Sequence, residues 1–247
     1  MVDTVAPSDL SHFQEQGWLL TTSHDDPAAV VRWVEEVAAW PDDDGAWLHH
    51  RELTDGGPQL CRTENFVPFH AGLRALLTSG SMLATASALL GEPAVLYKEK
   101  INYKLPGGAG YAPHQDAPAY RFVDTHVSCM VAVDDALLDN GCLEVVSGRH
   151  QALLPVDDVG CIRADVVAGM TWAPVEVKAG DTLWFHSRTP HRSGPNFGPT
   201  PRRALYPTYN ALAEGDLRAA YYERKRAELG DSAAVSLIGD FQGRPAT

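Results

Sequence analysis

The chain has 247 residues, 45% of them hydrophobic, which is enough apolar material for one sizeable core. Its formal net charge is −12, from 20 basic against 32 acidic side chains. That balance argues against nucleic acid as a partner and against attraction to an anionic membrane surface. Cys61, Cys129, Cys142 and Cys161 have no paired spacing and read as reduced thiols of a cytoplasmic protein. Residues 1–10 show no basic segment or apolar run, so no signal peptide is expected. No apolar run is expected to approach the roughly eighteen residues that span a bilayer.

In chain order, Phe13–Leu20 reads as a short helix running into a strand. Asp25-Asp26-Pro27 is a helix start with an acidic N-cap, and Val30, Val31, Val34, Val37 and Ala38 then recur at helical spacing until Pro41. Asp42-Asp43-Asp44 is expected to be a solvated loop. Residues 47–60 read as loop and strand. His49-His50 is not expected to bind metal, since adjacent strand residues point to opposite faces. Phe69–Leu77 and Met82–Leu90 read as two helices parted by Ser79-Gly80-Ser81. From Val95 to about Asn210 the chain changes to short strands broken by Gly, Pro, Asn and Asp: 95–105, 125–133, 142–146, 175–177, 181–185 and 203–209. Residues 214–229 form a charged amphipathic helix. The expected organisation is one domain over residues 1–247, with N-terminal helices to 92, a β core over 93–210 and a C-terminal helix over 211–232. The fold class is mainly β with flanking helices, a sandwich or jelly roll.

Within this run, His114 and Asp116 stand one residue apart in Tyr111-Ala112-Pro113-His114-Gln115-Asp116. On an extended strand such residues share a face, roughly 6.6 Å apart. A second imidazole, His191, would complete a two-histidine, one-carboxylate face with open positions opposite, the ligand set of non-haem Fe(II) oxygenases. Taken alone, the pair between Pro113 and Pro118 also fits a solvated turn. The glycines at 107, 108 and 110 lack the Gly-Lys-Ser/Thr ending of a phosphate loop and read as a flexible loop at the barrel mouth. Asn140-Gly141 is a turn signal. No nucleophile elbow supports a Ser-His-Asp triad.

Further motifs widen the pattern. They are 139–150 (DNGCLEVVSGRH), 180–186 (GDTLWFH), 190–196 (PHRSGPN) and 201–204 (PRRA). Together with 111–116, and in this order, they resemble the phytanoyl-CoA dioxygenase-like family over roughly 95–210. The resemblance implies a double-stranded β-helix (cupin-like jelly roll) that uses Fe(II), 2-oxoglutarate and O₂ to oxidise small molecules. It makes His114, Asp116 and His191 the iron ligands, with His191 preferred to His186 because only His191 leaves Arg202 at the family's interval. Arg202 would clamp the distal carboxylate of 2-oxoglutarate, as a planar guanidinium suits. Ser193 would assist it, Asn102 would contact the cosubstrate near the iron, and Ser128 would line the same pocket. Arg203, next in line, should point outward into an ion pair. The carboxylate at Asp116 favours hydroxylation over halogenation, which in this superfamily needs a small residue there.

Alternation along 95–104 puts Leu96, Lys98, Lys100, Asn102 and Lys104 on one face and Val95, Tyr97, Glu99, Ile101 and Tyr103 on the other. If Asn102 faces the barrel interior, so do Lys98 and Lys100. Lysines are rarely buried without a partner. An anionic substrate bearing a carboxylate, phosphate or phosphonate is therefore expected there, against the alternative of a solvated barrel mouth. Arg121, His126 and Trp184 are further substrate candidates. The function expected is hydroxylation of a small polar or anionic metabolite with release of succinate and CO₂. Two other classes stay open at this point: a jelly roll performing redox-neutral isomerisation, and a relative that only binds its ligand. Oligomeric state is not legible in the sequence.

Overall fold

The computed structural model describes residues 5–22, 26–42, 46–54, 57–120, 126–229 and 235–238. Helix α1 (Pro7–Gln16) stops at Gly17, whose φ of 81° is left-handed; a Cβ there would also lie 2.5 Å from the His150 ring. The chain then enters β1 (Trp18–Thr21). In α2 (Pro27–Ala38) the Asp26 side chain accepts from the Ala28 N–H at 3.0 Å, and Val30, Val34 and Val37 form the buried stripe. β2 (Leu48–Thr54) and β3 (Gly57–Glu64) make a hairpin. The segment Ala71–Leu90 is long and apolar enough to pass for a membrane span, contrary to the expectation that none exists. Extended backbone at Ser79 divides it into α3 (Ala71–Thr78) and α4 (Gly80–Leu90), and Leu73, Leu77, Met82, Ala86 and Leu89 are buried in the core.

The remaining strands are β4 (Ala94–Lys104), β5 (Tyr111–His114), β6 (His126–Ala132), β7 (Leu143–Val145), β8 (Ala173–Val175), β9 (Thr182–His186), β10 (His191–Ser193), β11 (Arg202–Ala211) and β12 (Val235–Ile238). Helices α5 (Ala164–Val167) and α6 (Arg218–Leu229) and three single-turn 3-10 helices complete the described elements. The strands form two sheets. The larger has the order β1-β9-β6-β11-β4-β3-β2-β12 and the smaller β5-β10-β7-β8. All neighbours are antiparallel except β12 against β2. This is the jelly-roll architecture, with three strands from the N-terminal third added to the main sheet.

Period-two alternation sorts side chains between two cores. The outer face of the large sheet, with Ile101, Cys129, Val131, Trp184 and Leu205, packs under α1–α4. The inner face, with Met130, Ala132, Leu183, Phe185 and Ala204, meets Leu143, Val145 and Val175 of the small sheet. Strand β4 breaks its own alternation once. Its register with β11 slips between Thr208 and Tyr209, so Lys98 pairs with Thr208 and Leu96 with Tyr209. The bulge sends Leu96 into the helix-side core, not onto the face of Lys98 as strict alternation requires.

Candidate active site between the two sheets

His114 is the last residue of β5, and the register of β5 with β10 sets His191 directly across from it. Their ring centroids are 4.2 Å apart. Asp116 lies beyond the strand, with helical backbone (φ −70°, ψ −32°) at the start of a 3-10 turn over Ala117–Ala119. The expected i, i+2 strand geometry is thus replaced by a turn. Gln115 anchors that turn on the opposite side, donating to the carbonyls of Ala152 and Arg188 and accepting from the Leu154 N–H. The potential ligand atoms of His114, Asp116 and His191 all lie within 4.8 Å of one another.

The donor set is arranged as a metal needs. The Nδ1 of His114 donates to the Ala112 carbonyl at 2.7 Å and that of His191 to the Thr189 carbonyl at 3.0 Å. Both Nε2 lone pairs are thereby left facing inward. Asp116 accepts from Ser128 through Oδ2 at 3.0 Å, which leaves Oδ1 at 3.8 and 3.9 Å from the two Nε2 atoms. Burial, reinforced by His191, pushes the His114 imidazole down to about 4, so it is neutral at physiological pH. Burial alone would raise Asp116; its electrostatic interactions with the groups around it, His191 and Lys98 foremost, more than offset this and hold it below the usual carboxylate range.

These three groups open into a cavity of about 410 Å³ between the sheets. The large sheet contributes Lys98, Lys100, Asn102, Ser128, Phe185, Tyr206 and Thr208, while Tyr111 and Leu143 come from the small sheet and Tyr120 from the turn after Asp116. Lys98 is 6% exposed. Its ammonium sits 4.3 Å above the Tyr120 ring, and that of Lys100 sits 5.2 Å above the Tyr206 ring. Among the described residues neither makes a hydrogen bond or a close ion pair. Burial lowers Lys98 to about 8, and burial with the charges of Lys98 and Arg62 lowers Lys100 well below the ordinary lysine value. Both are amines aimed at one space, where a bound anion would favour their charged form.

A second cavity of about 300 Å³ adjoins the first at Asn102 and Tyr111 and is lined by Lys104 and Arg202. Arg202 is 2% exposed; it donates to Tyr206 at 3.1 Å and to the Gly141 carbonyl at 3.0 Å, and its Nε has no partner among the described residues. A buried guanidinium with a free donor fits a carboxylate ligand. Gly141 is required here for more than its turn. Its φ is 78°, and a Cβ would come within 2.4 Å of the Gly194 carbonyl and 2.7 Å of the Lys104 ammonium.

A family model for phytanoyl-CoA dioxygenase matches residues 13–204. The chain belongs to the phytanoyl-CoA dioxygenase family. It is 48% identical over 257 aligned residues to a methylphosphonate hydroxylase of Gimesia maris, covering 100% of this chain and 99% of that one. It is 38% identical to a 2-aminoethylphosphonate dioxygenase of an uncultured bacterium, over 81% of this chain and 78% of the other. In fold it resembles crystalline EctD from S. alaskensis with 2-oxoglutarate and 5-hydroxyectoine, with a TM-score of 0.74, 19% identity and 87% and 79% coverage. This member of the family is an Fe(II)- and 2-oxoglutarate-dependent dioxygenase that hydroxylates a small molecule, and the isomerase and binding-protein readings are not favoured.

The other residues singled out in the sequence are distributed unevenly around this site. Lys98, Lys100, Asn102 and Ser128 line the cavity. Ser193 is buried beside Lys104, its hydroxyl 2.9 Å from the ammonium, with no bond to Arg202. Ser128 lines the cavity and also donates to the Asp116 carboxylate. Trp184 is a correction: strand alternation turns it to the helix side, where its indole donates to Thr21 at 3.1 Å, and Phe185 takes the cavity face. His126 is fully buried behind Tyr120, with ring centroids 4.7 Å apart, and does not line the cavity. Arg121 lies outside the described residues. Arg203 turns outward onto Asp134 and Glu35. The loop at 107–110 is packed, not open: the Gly107 N–H donates to Asn196, and a Cβ on Gly110 would strike the Ser193 carbonyl. Tyr111, Tyr120, Tyr206, Thr208 and Gly141 were missed. Only Tyr206 and Thr208 carried a signal, their even spacing from Arg202 along one strand.

Proposed function

We propose that this enzyme hydroxylates the carbon next to phosphorus in a small phosphonate, methylphosphonate being the simplest. The observation that carries the reading is the pair Lys98, buried, and Lys100, half-buried, which among the described residues make no hydrogen bond or close ion pair and face the cavity that holds the triad. Buried charge is stable only against a counter-charge, so the occupant supplies one. The relative that is 48% identical over the whole chain is named for methylphosphonate, a compact anion of the required charge.

In this reading His114, Asp116 and His191 hold Fe(II), and Arg202 takes the distal carboxylate of 2-oxoglutarate, with Asn102 and Tyr111 where the two cavities meet. The bound metal and cosubstrate supply the oxidising chemistry: one atom of O₂ goes to succinate with loss of CO₂, and the other is inserted into a substrate C–H bond. Asp116 contributes Oδ1 while Ser128 restrains Oδ2, which fixes the carboxylate on one coordination position. Lys98 and Lys100 draw the phosphonate to the β4 side and orient its carbon toward the open face of the triad. Phe185 and Leu143 wall the cavity with apolar surface and limit water beside the reacting carbon.

The test is phosphonate-dependent succinate formation from 2-oxoglutarate with Fe(II), ascorbate and O₂, read together with ³¹P NMR of the product. Equal amounts of succinate and hydroxymethylphosphonate are expected from methylphosphonate. Succinate that stays at the substrate-free rate with every small phosphonate, in protein shown to bind metal, overturns the reading.

A further inference from the structure

Two relatives of this chain carry names that differ by one charged group, since 2-aminoethylphosphonate bears an ammonium that methylphosphonate lacks. Building on the phosphonate reading, we infer that this cavity selects phosphonates without an amino group and rejects 2-aminoethylphosphonate. The geometry of the lining decides it.

Among the described residues that line the cavity there are two ammonium groups, Lys98 and Lys100, and one carboxylate, Asp116. Asp116 is committed twice, to the triad through Oδ1 and to Ser128 through Oδ2. Among the described residues a second acid, Glu64, is paired with Lys100 across the β3–β4 register. It does not line the cavity, and both its oxygens are taken by Lys225 at 2.6 and 2.8 Å. Among the described residues no uncommitted acid therefore remains for a substrate cation. An aromatic face could serve instead, yet the two candidates are occupied: the Tyr120 ring carries the Lys98 ammonium and the Tyr206 ring carries that of Lys100. A substrate ammonium would meet two like charges, from buried Lys98 and half-buried Lys100, and like-charge juxtaposition is costly. The remaining polar groups (Asn102, Ser128, Thr208 and the tyrosine hydroxyls) are neutral.

The discriminating experiment uses the native enzyme with Fe(II), 2-oxoglutarate and three probes: methylphosphonate, ethylphosphonate and 2-aminoethylphosphonate. The last two share a carbon skeleton, so their ratio reads the ammonium and little else. Ethylphosphonate should exceed 2-aminoethylphosphonate in kcat/KM by about tenfold or more. The same order should appear in anaerobic titrations followed by ³¹P NMR, which report binding without turnover. If 2-aminoethylphosphonate matches or beats ethylphosphonate in both measurements, the selectivity inference is wrong while the phosphonate reading survives. If none of the three is bound or oxidised, the phosphonate reading itself falls and takes this inference with it.

Discussion

Strand β4 buries charge on both of its faces, and the two faces treat it in opposite ways. Glu99, on the helix side, is fully buried and fully engaged. Arg218 donates to it from Nε at 3.0 Å and from Nη2 at 2.5 Å, the Val67 N–H reaches it at 3.0 Å, and the Tyr222 hydroxyl stands at 3.3 Å. Lys98 and Lys100, its immediate neighbours, turn into the cavity with only aromatic faces beneath them. A buried charge with a complete set of partners belongs to the architecture. One with none marks the place where a ligand completes the set. Both situations occur within three consecutive residues, so burial by itself does not separate structure from function; partnership does.

The largest effect expected from breaking this contrast is on catalysis. In the double variant Lys98→Met, Lys100→Met the phosphonate loses two charge-assisted contacts, each worth about 1.5–3 kcal/mol. Steady-state kinetics should show kcat/KM for methylphosphonate falling about 10²- to 10⁴-fold, while the urea midpoint does not drop. Glu99→Ala should do the reverse. It leaves Arg218 buried without its partner, at a stability loss of about 3–5 kcal/mol in urea unfolding, with the folded fraction still turning over.

A middle-sized effect is expected at Ser128. Ser128→Ala removes the donor that holds Asp116 Oδ2, and metal affinity measured by Co(II) titration should weaken about 10- to 100-fold. Ser128→Thr, which keeps a hydroxyl, should recover most of it, an outcome that a packing role alone would not produce.

The smallest effect is a slope. Lys98 in the folded protein titrates near 8, because burial disfavours its charged form. In the unfolded chain it titrates at the ordinary value, about 10.4. Between these two values the unfolded state binds more protons, so stability rises with pH across that window. Urea midpoints of the metal-free protein measured from pH 8 to 10 should increase, and the increase should shrink in Lys98→Met. An unchanged slope in the variant would show that Lys98 is solvated in the free enzyme.

Much of the architecture was legible in local pattern. The Asp26-Pro27 start, the valine stripe of α2, the limits of β4 and the outward turn of Arg203 all follow from rules acting over a few residues. Strands β5 and β10 were harder to see, because they are only four and three residues long and rich in residues with no strand preference. The placement of Leu96 and Lys98 was half right, since a single bulge reverses alternation on one side of it and nothing local announces a bulge. Trp184 and Phe185 have equal claims to a pocket when read as letters; only the pairing of β9 with β6 and β1 decides which of them meets the cavity.

Residue order alone set two histidines, an acid and a spaced arginine in the succession that resembles the phytanoyl-CoA dioxygenase family, because motif order and spacing are properties of the chain itself. Tertiary structure decided the rest. It set His191 across from His114, gave Oδ2 of Asp116 to Ser128, supplied Glu99 with Arg218, Tyr222 and the Val67 N–H, and turned the flanking lysines toward the cavity. Those outcomes depend on what arrives from distant segments, and the availability of a partner is a non-local quantity that no run of neighbouring residues encodes.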